Sequence, residues 1–111
     1  MSAYWVARAT VRDPEPMTEY SAIVARLRDR YGFEPLSRGV RVEQLEGERQ
    51  FQEHFLHRFP SMEAALAMYH SAEYQRAAEF RRAACDGCEL VLLDGGDSVA
   101  GQRAPLPTAS R

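Results

Sequence analysis

Between Met17 and Tyr31 the large apolar residues return at a helical period. Met17, Tyr20, Ile23, Val24, Leu27 and Tyr31 fall on one face, while Arg26, Arg28, Asp29 and Arg30 lie largely off it. Asp13-Pro14 supplies a start, with Asp as N-cap and Pro in the first turn, and Gly32 supplies the stop. Pro16 disfavours helical backbone at Glu15, so the helix is expected to begin a turn late. A helix with one apolar stripe must bury it against another layer. The flanking segments show what that layer is.

Ala3–Val11 is rich in β-branched and aromatic residues and reads as a strand. It is apolar on both alternations, Tyr4 and Val6 on one and Trp5, Ala7 and Ala9 on the other, which suits an inner strand. A second extended stretch runs through Phe33–Arg38 and past Gly39 into Val40–Leu45, and Glu46-Gly47-Glu48 forms a turn. Phe51–Phe59 reads as a third strand, with Phe51, Phe55 and Phe59 opposite Gln52, His54, Leu56 and Arg58. Pro60-Ser61 caps a second helix, with Glu63 in its first turn and Met62, Ala65, Leu66 and Tyr69 as its buried stripe. Ser71 is a second N-cap signal, so this helix breaks near His70–Ser71, after which Tyr74, Ala77, Ala78 and Arg81 share a face. Cys88–Asp94 is the fourth strand. From Gly95 the chain loses periodicity, which divides it into a domain over 1–94 and a mobile tail over 95–111.

The order βαββαβ is the ferredoxin-like α+β topology, one four-stranded antiparallel sheet with both helices on one face. Aromatic residues on both alternations of the strands leave the second face needing cover, and a second copy of the chain is the simplest cover. A homodimer through the sheet face is therefore expected. The 111 residues make one domain and are too few for a doubly wound fold or a TIM barrel. A net charge of -2 argues against nucleic-acid and anionic-membrane partners. All 14 basic residues are Arg, so an anion site must use guanidinium or backbone donors. The best apolar runs, Ala64–Tyr69 and Leu90–Leu93, are far too short to span a bilayer, and the first residues lack a secretory pattern. With two Cys, that points to a reducing cytoplasm.

Six strings carry a resemblance: Tyr4-Trp5-Val6-Ala7, Asp13-Pro14-Glu15, Leu36-Ser37-Arg38-Gly39, Leu45-Glu46-Gly47, Phe59-Pro60-Ser61 and Tyr69-His70-Ser71-Ala72-Glu73-Tyr74-Gln75. In order and spacing, over about residues 3–94, the chain resembles the domain-of-unknown-function 1330 family of the dimeric α+β barrel superfamily. The resemblance implies a ferredoxin-like protomer, a sheet-to-sheet homodimer and a cleft between sheet and helices. It implies no particular reaction; similar superfamily members include cofactor-free monooxygenases, haem-degrading enzymes and lactone isomerases. Val40 stands where the family has a second Gly, and Ala72 stands where it has Pro, which suggests a softer helix break.

Arg38, Tyr74 and Arg81 form the leading candidate site. Gly39 after Arg38 permits close approach of a ligand, and Ala77 and Ala78 between Tyr74 and Arg81 leave room beside a guanidinium that can clamp an anion. Arg81 also falls where the family pattern has an Arg. Gly39, Tyr69 and Glu73 complete the expected ligand-binding set with Arg38 and Arg81. The competing reading pairs Arg81 with Glu73 or Glu89, or sends it to solvent. His70 and Tyr74 are the candidate proton-transfer residues, His70 because imidazole beside Glu73 suits acid–base work. Against this, Ser71 and Glu73 also read as a simple capping segment with His70 exposed.

Other patterns are weaker. His54 and His57 lie three apart on a strand and point to opposite faces, so they cannot share a metal. Cys85-Asp86-Gly87-Cys88 sits at a helix exit around a good Asp-Gly turn and reads as turn cysteines. No metal or cofactor is expected. Phe51, Phe55 and Phe59 lack the RNA-binding signature of a sheet platform, and no nucleophile elbow is present. The sequence thus supports a dimer binding a small acidic or enolisable molecule, with cofactor-independent acid–base or oxygen chemistry as its enzymatic form. The alternative is a noncatalytic dimeric module with a vestigial cleft.

Overall fold

The computed structural model describes residues 2–39 and 41–95. Its elements run β1 (Ala3–Val11), α1 (Pro14–Tyr31), β2 (Glu34–Gly39), β3 (Glu53–Phe59), α2 (Met62–His70), α3 (Ala72–Ala84) and β4 (Cys85–Asp94). The strands form one antiparallel sheet in the order β2-β3-β1-β4. This is the ferredoxin-like arrangement, with its second helix divided in two.

The helix ends follow local chemistry. Asp13 accepts a hydrogen bond from the Glu15 amide at 3.1 Å, and α1 starts at Pro14 instead of a turn late. In the first turn no amide has an intrahelical partner, so Pro16 forfeits no bond and Asp13 holds Glu15 in place. Gly32 closes α1 in the left-handed region at φ 71°, its amide donating to the Arg28 carbonyl at 2.7 Å. Ser71, with ψ 149°, makes a full break between α2 and α3, sharper than Ala72 suggested. Its hydroxyl donates to the Met68 carbonyl at 2.7 Å and accepts from the Tyr74 amide at 3.1 Å. One side chain thus closes one helix and opens the next.

Three boundaries differ from the sequence reading. β2 ends at Gly39 and does not continue to Leu45, and β3 begins at Glu53, two residues after Phe51. A strand lasts only as long as its partners: Gly39↔His54 ends the β2 ladder, and Ala9↔Glu53 ends the β1 ladder. β4 begins at Cys85, three residues early, because α3 runs straight into it and the Arg12 and Asp13 amides both donate to the Ala84 carbonyl. Asp86-Gly87 therefore lies in a strand, beside a register shift at Thr10/Val11, and is not a turn. The stripe of α2 is also rotated: Ala65 and Met68 are buried, while Leu66 is 42% exposed.

The sheet faces are unequal. Trp5 stacks on Phe59 at 5.4 Å, Phe59 on Phe33 at 5.2 Å, and Tyr74 meets Trp5 edge-on at 5.1 Å, all beneath the helices with Leu27 and Met68. Of the strand aromatics expected on both alternations, Trp5, Phe55 and Phe59 lie on this side and Tyr4 lies on the other. The register sends Val6, Leu56 and Val91 to the open face in one row, with Tyr4 and Leu93 beside them. Val91 and Leu93 are 49% and 51% exposed. Residues 96–111, most of the segment read as a tail, lie outside the described residues.

Candidate functional site

Two residues beyond Trp5, the helix-facing side of β1 carries only Ala7 and Ala9, and a cavity of about 270 Å³ opens above them. Phe55 and His57 from β3 and Cys88 and Leu90 from β4 continue its floor. Met17, Tyr20, Ser21, Val24 and Arg28 of α1 roof it, and Tyr74 and Arg81 of α3 close one end. Arg38 and Pro35 of β2 border the other side. Small residues on the sheet, long polar ones around it, make the space.

At the α3 end, the Arg81 guanidinium donates through Nη1 to Cys88 Sγ at 3.0 Å and lies 5.9 Å from the Tyr20 ring centroid. The Tyr20 and Tyr74 hydroxyls share a hydrogen bond of 3.0 Å. Arg81 Nε is buried and has no partner among the described residues. No carboxylate bridges Arg81 among them either: Glu73 pairs with Arg30, and Glu89 pairs with Arg8. Burial opposes the charge on Arg81, but Tyr74, Tyr20 and Cys88 more than offset it and raise its pKa. Burial also raises Tyr74, with Arg81 offsetting part of the effect, and raises Tyr20 well above the usual phenol range with Tyr74 adding to it. Both phenols are therefore neutral hydroxyls at pH 7 beside a fixed positive charge.

At the other side His57 Nδ1 is buried without a partner among the described residues, and its ring packs on Phe33 at 4.9 Å. Burial, then the charges of Arg38 and Arg28, lower its pKa to about 4. The imidazole is neutral at pH 7. Arg28 and Arg38 make no ion pair among the described residues.

The structure thus brings Arg38, Tyr74 and Arg81 to one cavity, though Arg38 itself is largely exposed. The other sequence candidates lie elsewhere. Gly39 lies off the cavity, and a Cβ there would stand 3.2 Å from the His54 carbonyl oxygen, which gives the glycine a packing reason. Tyr69 packs on Trp5 and Tyr74 as part of the core. Glu73 is tied to Arg30 on the surface, and His70 is exposed at the end of α2. Tyr20, Arg28 and His57 were not assigned to this site from the sequence, His57 having been weighed only as a metal ligand with His54, because each reads as an ordinary helix-face or strand residue until the sheet and α1 meet. Cys88, read as a turn cysteine opening the fourth strand, stands within β4 on the cavity wall as the partner of Arg81. The place of Tyr20 on the apolar stripe of α1, as its one hydroxyl-bearing residue between Met17 and Leu27, was the signal that could have found the first of these.

Comparison with known proteins follows that geometry. The model of a domain of unknown function, DUF1330, matches residues 2–96. The chain belongs to the DUF1330 family. No curated protein matches this DUF1330 chain. Among solved structures, it is similar to a protein of unknown function from Rhodopseudomonas palustris at 19% identity and a TM-score of 0.72, covering 85% of this chain and 82% of that one. A dimeric ferredoxin-like protein of unknown function from Jannaschia sp. is similar at 20% identity and a TM-score of 0.69, covering 86% and 100%. A hydroxynitrile lyase from Passiflora edulis is similar at 13% identity and a TM-score of 0.61, covering 85% and 93%. At these identities the likeness establishes the DUF1330 protomer as a ferredoxin-like fold.

Proposed function

We propose that this protein is a homodimer that binds a small organic anion, a carboxylate or an enolisable acid, in the cavity between the sheet and α1 and α3. The observation that carries the reading is Arg81: a half-buried guanidinium at the cavity wall with a buried Nε donor unused and no carboxylate partner among the described residues. A buried donor without an acceptor costs about 1–3 kcal/mol, which an incoming oxyanion returns. The surrounding charge supports it. Arg28, Arg38 and Arg81 line the cavity and make no ion pair among the described residues, while Arg8 and Glu89 at its border neutralise each other, so the lining carries three uncompensated positive charges in a chain of net charge -2.

The chemistry such a site supports is polarisation of a carbonyl. Tyr74 or Tyr20 donates its neutral hydroxyl, beside the charge of Arg81, to a carbonyl or carboxylate oxygen of the ligand. His70 stands outside the cavity and is not part of this set. Dimerisation through the open face covers Val6, Leu56, Val91 and Leu93, and the Jannaschia relative is described as dimeric. The two free thiols, Cys85 and Cys88, suit a reducing compartment, which we take to be the cytoplasm.

A thermal-shift screen of small carboxylates and phenols tests the reading, run on the wild type and Arg81→Ala. Specific stabilisation of the wild type that the variant loses, in a particle of twice the 12.6 kDa chain mass by light scattering, is the expected result. A dimer that no acid stabilises is instead a noncatalytic module with a vestigial cleft. A monomer removes the homodimer.

A further inference from the structure

The cavity has positive charge at two separate places. Arg81 stands over β4 through its contact with Cys88, and Arg38 stands on β2 with Arg28 of α1 close enough to act on the same imidazole, His57. β2 and β4 are opposite edges of the sheet, so three strand spacings, about 14 Å, separate the strands that carry the two groups. Between them the register sets Phe55, Ala7 and Leu90 in one row across β3, β1 and β4, with Val24 above. That waist is apolar and offers no side-chain hydrogen bond. The His57 ring is neutral at pH 7, so the charge on the β2 side is that of Arg28 and Arg38 alone.

A ligand with one acidic group satisfies one side and leaves unpaired guanidinium on the other. We infer that the cavity takes a dianion: a flat organic diacid with one carboxylate on Arg81, the other on Arg28 and Arg38, and an apolar middle over Phe55, Ala7 and Leu90. This rests on the anion-binding reading above and names the ligand class within it. Rigidity matters because a preorganised spacer holds both carboxylates apart without losing chain entropy on binding. The volume of about 270 Å³ is at the small end for ligand pockets, which limits the spacer to about one ring.

Calorimetric titration with benzoate and terephthalate at low salt separates the possibilities, using the wild type, Arg81→Gln, the double variant Arg28→Gln/Arg38→Gln, and Arg76→Gln. Arg28 and Arg38 are exposed, so the double variant keeps the fold, and Arg76 is exposed on α3 away from the cavity. Terephthalate is expected to bind the wild type about tenfold or more tightly than benzoate, the worth of one added charge-assisted pairing. The double variant should erase that advantage and leave benzoate unchanged, Arg81→Gln should weaken both acids, and Arg76→Gln should alter neither. Equal affinities for the two acids in the wild type, with benzoate still dependent on Arg81, overturn the diacid inference and leave the anion site standing. Loss of benzoate in the double variant overturns the assignment of the first carboxylate to Arg81. Equal weakening by Arg76→Gln reduces the effect to general charge attraction and also overturns the inference. If neither acid binds, the anion reading falls with it.

Discussion

Trp5 and Ala7 are two residues apart on the same face of β1, yet they sit in opposite environments. Around Trp5, Phe59, Phe33 and Tyr74 pack ring against ring until the space is filled. Around Ala7 the same layer is left open, with arginine and tyrosine side chains bordering the gap, before Ala9 is buried again against Ala84 and Cys85. The first region has the volume to hold sheet and helices together. The second lacks it, so the layers are held apart there by what is packed next door. A cavity of this kind depends on the rigidity of its filled neighbour.

The comparison can be broken most severely at Trp5. Trp5→Ala removes the largest fully buried side chain and should destabilise the fold by about 3–5 kcal/mol, read from the midpoint of urea unfolding. A loss below about 1 kcal/mol would mean that the aromatic cluster does not carry the layer contact.

His57 probes the boundary between the two regions, touching Phe33 on one side and the cavity on the other. Its folded pKa near 4 lies below the ordinary histidine value of 6.5, so the unfolded chain binds the proton more readily. Its neutral form supports the fold fully above pH 6.5, and that stability is lost as pH falls from 6.5 toward 4. After allowance for the solvent-facing edge of the ring, about 1–2 kcal/mol should disappear over that window. Unfolding midpoints at pH 7 and pH 4.5 measure it, and His57→Gln should flatten the difference. An unchanged slope in the variant would assign the pH response to other groups.

The smallest effect on stability, and the sharpest on the site, belongs to Ala7→Leu. Open space accepts the extra carbons, so the unfolding midpoint should move by less than about 1 kcal/mol, whereas a filled core would resist them at about 1–3 kcal/mol. The same substitution should abolish any carboxylate-induced thermal shift. Retained shift with the bulk in place would put the anion elsewhere.

Much of the fold was legible because its signals are local. The stripe from Met17 to Leu27, the Asp13 and Ser71 caps and the Gly32 stop each act within a turn of chain, and the structure places α1 and the α2–α3 break where they direct. Strand ends were less legible. The stretch from Phe33 was extended to Leu45 and β4 shortened to Cys88, because a strand end is set by a partner far away in sequence: His54 for Gly39, Val11 for Cys85. The site divided the same way. Arg81 stood out because Ala77 and Ala78 precede it on one helix face, which is a matter of spacing.

Tyr20, His57 and the thiol of Cys88 carried no such mark. Helical and strand periods determine which side chains share one face of one element, and the chain specifies those periods directly. Which faces meet depends on sheet order and register, fixed by burial and backbone pairing between residues as far apart in sequence as Ala3 and Asp94. Only that pairing sets Cys88 beside Arg81 and brings His57 within the field of Arg38, and only the meeting of two layers determines whether the space above Ala7 is filled or left open.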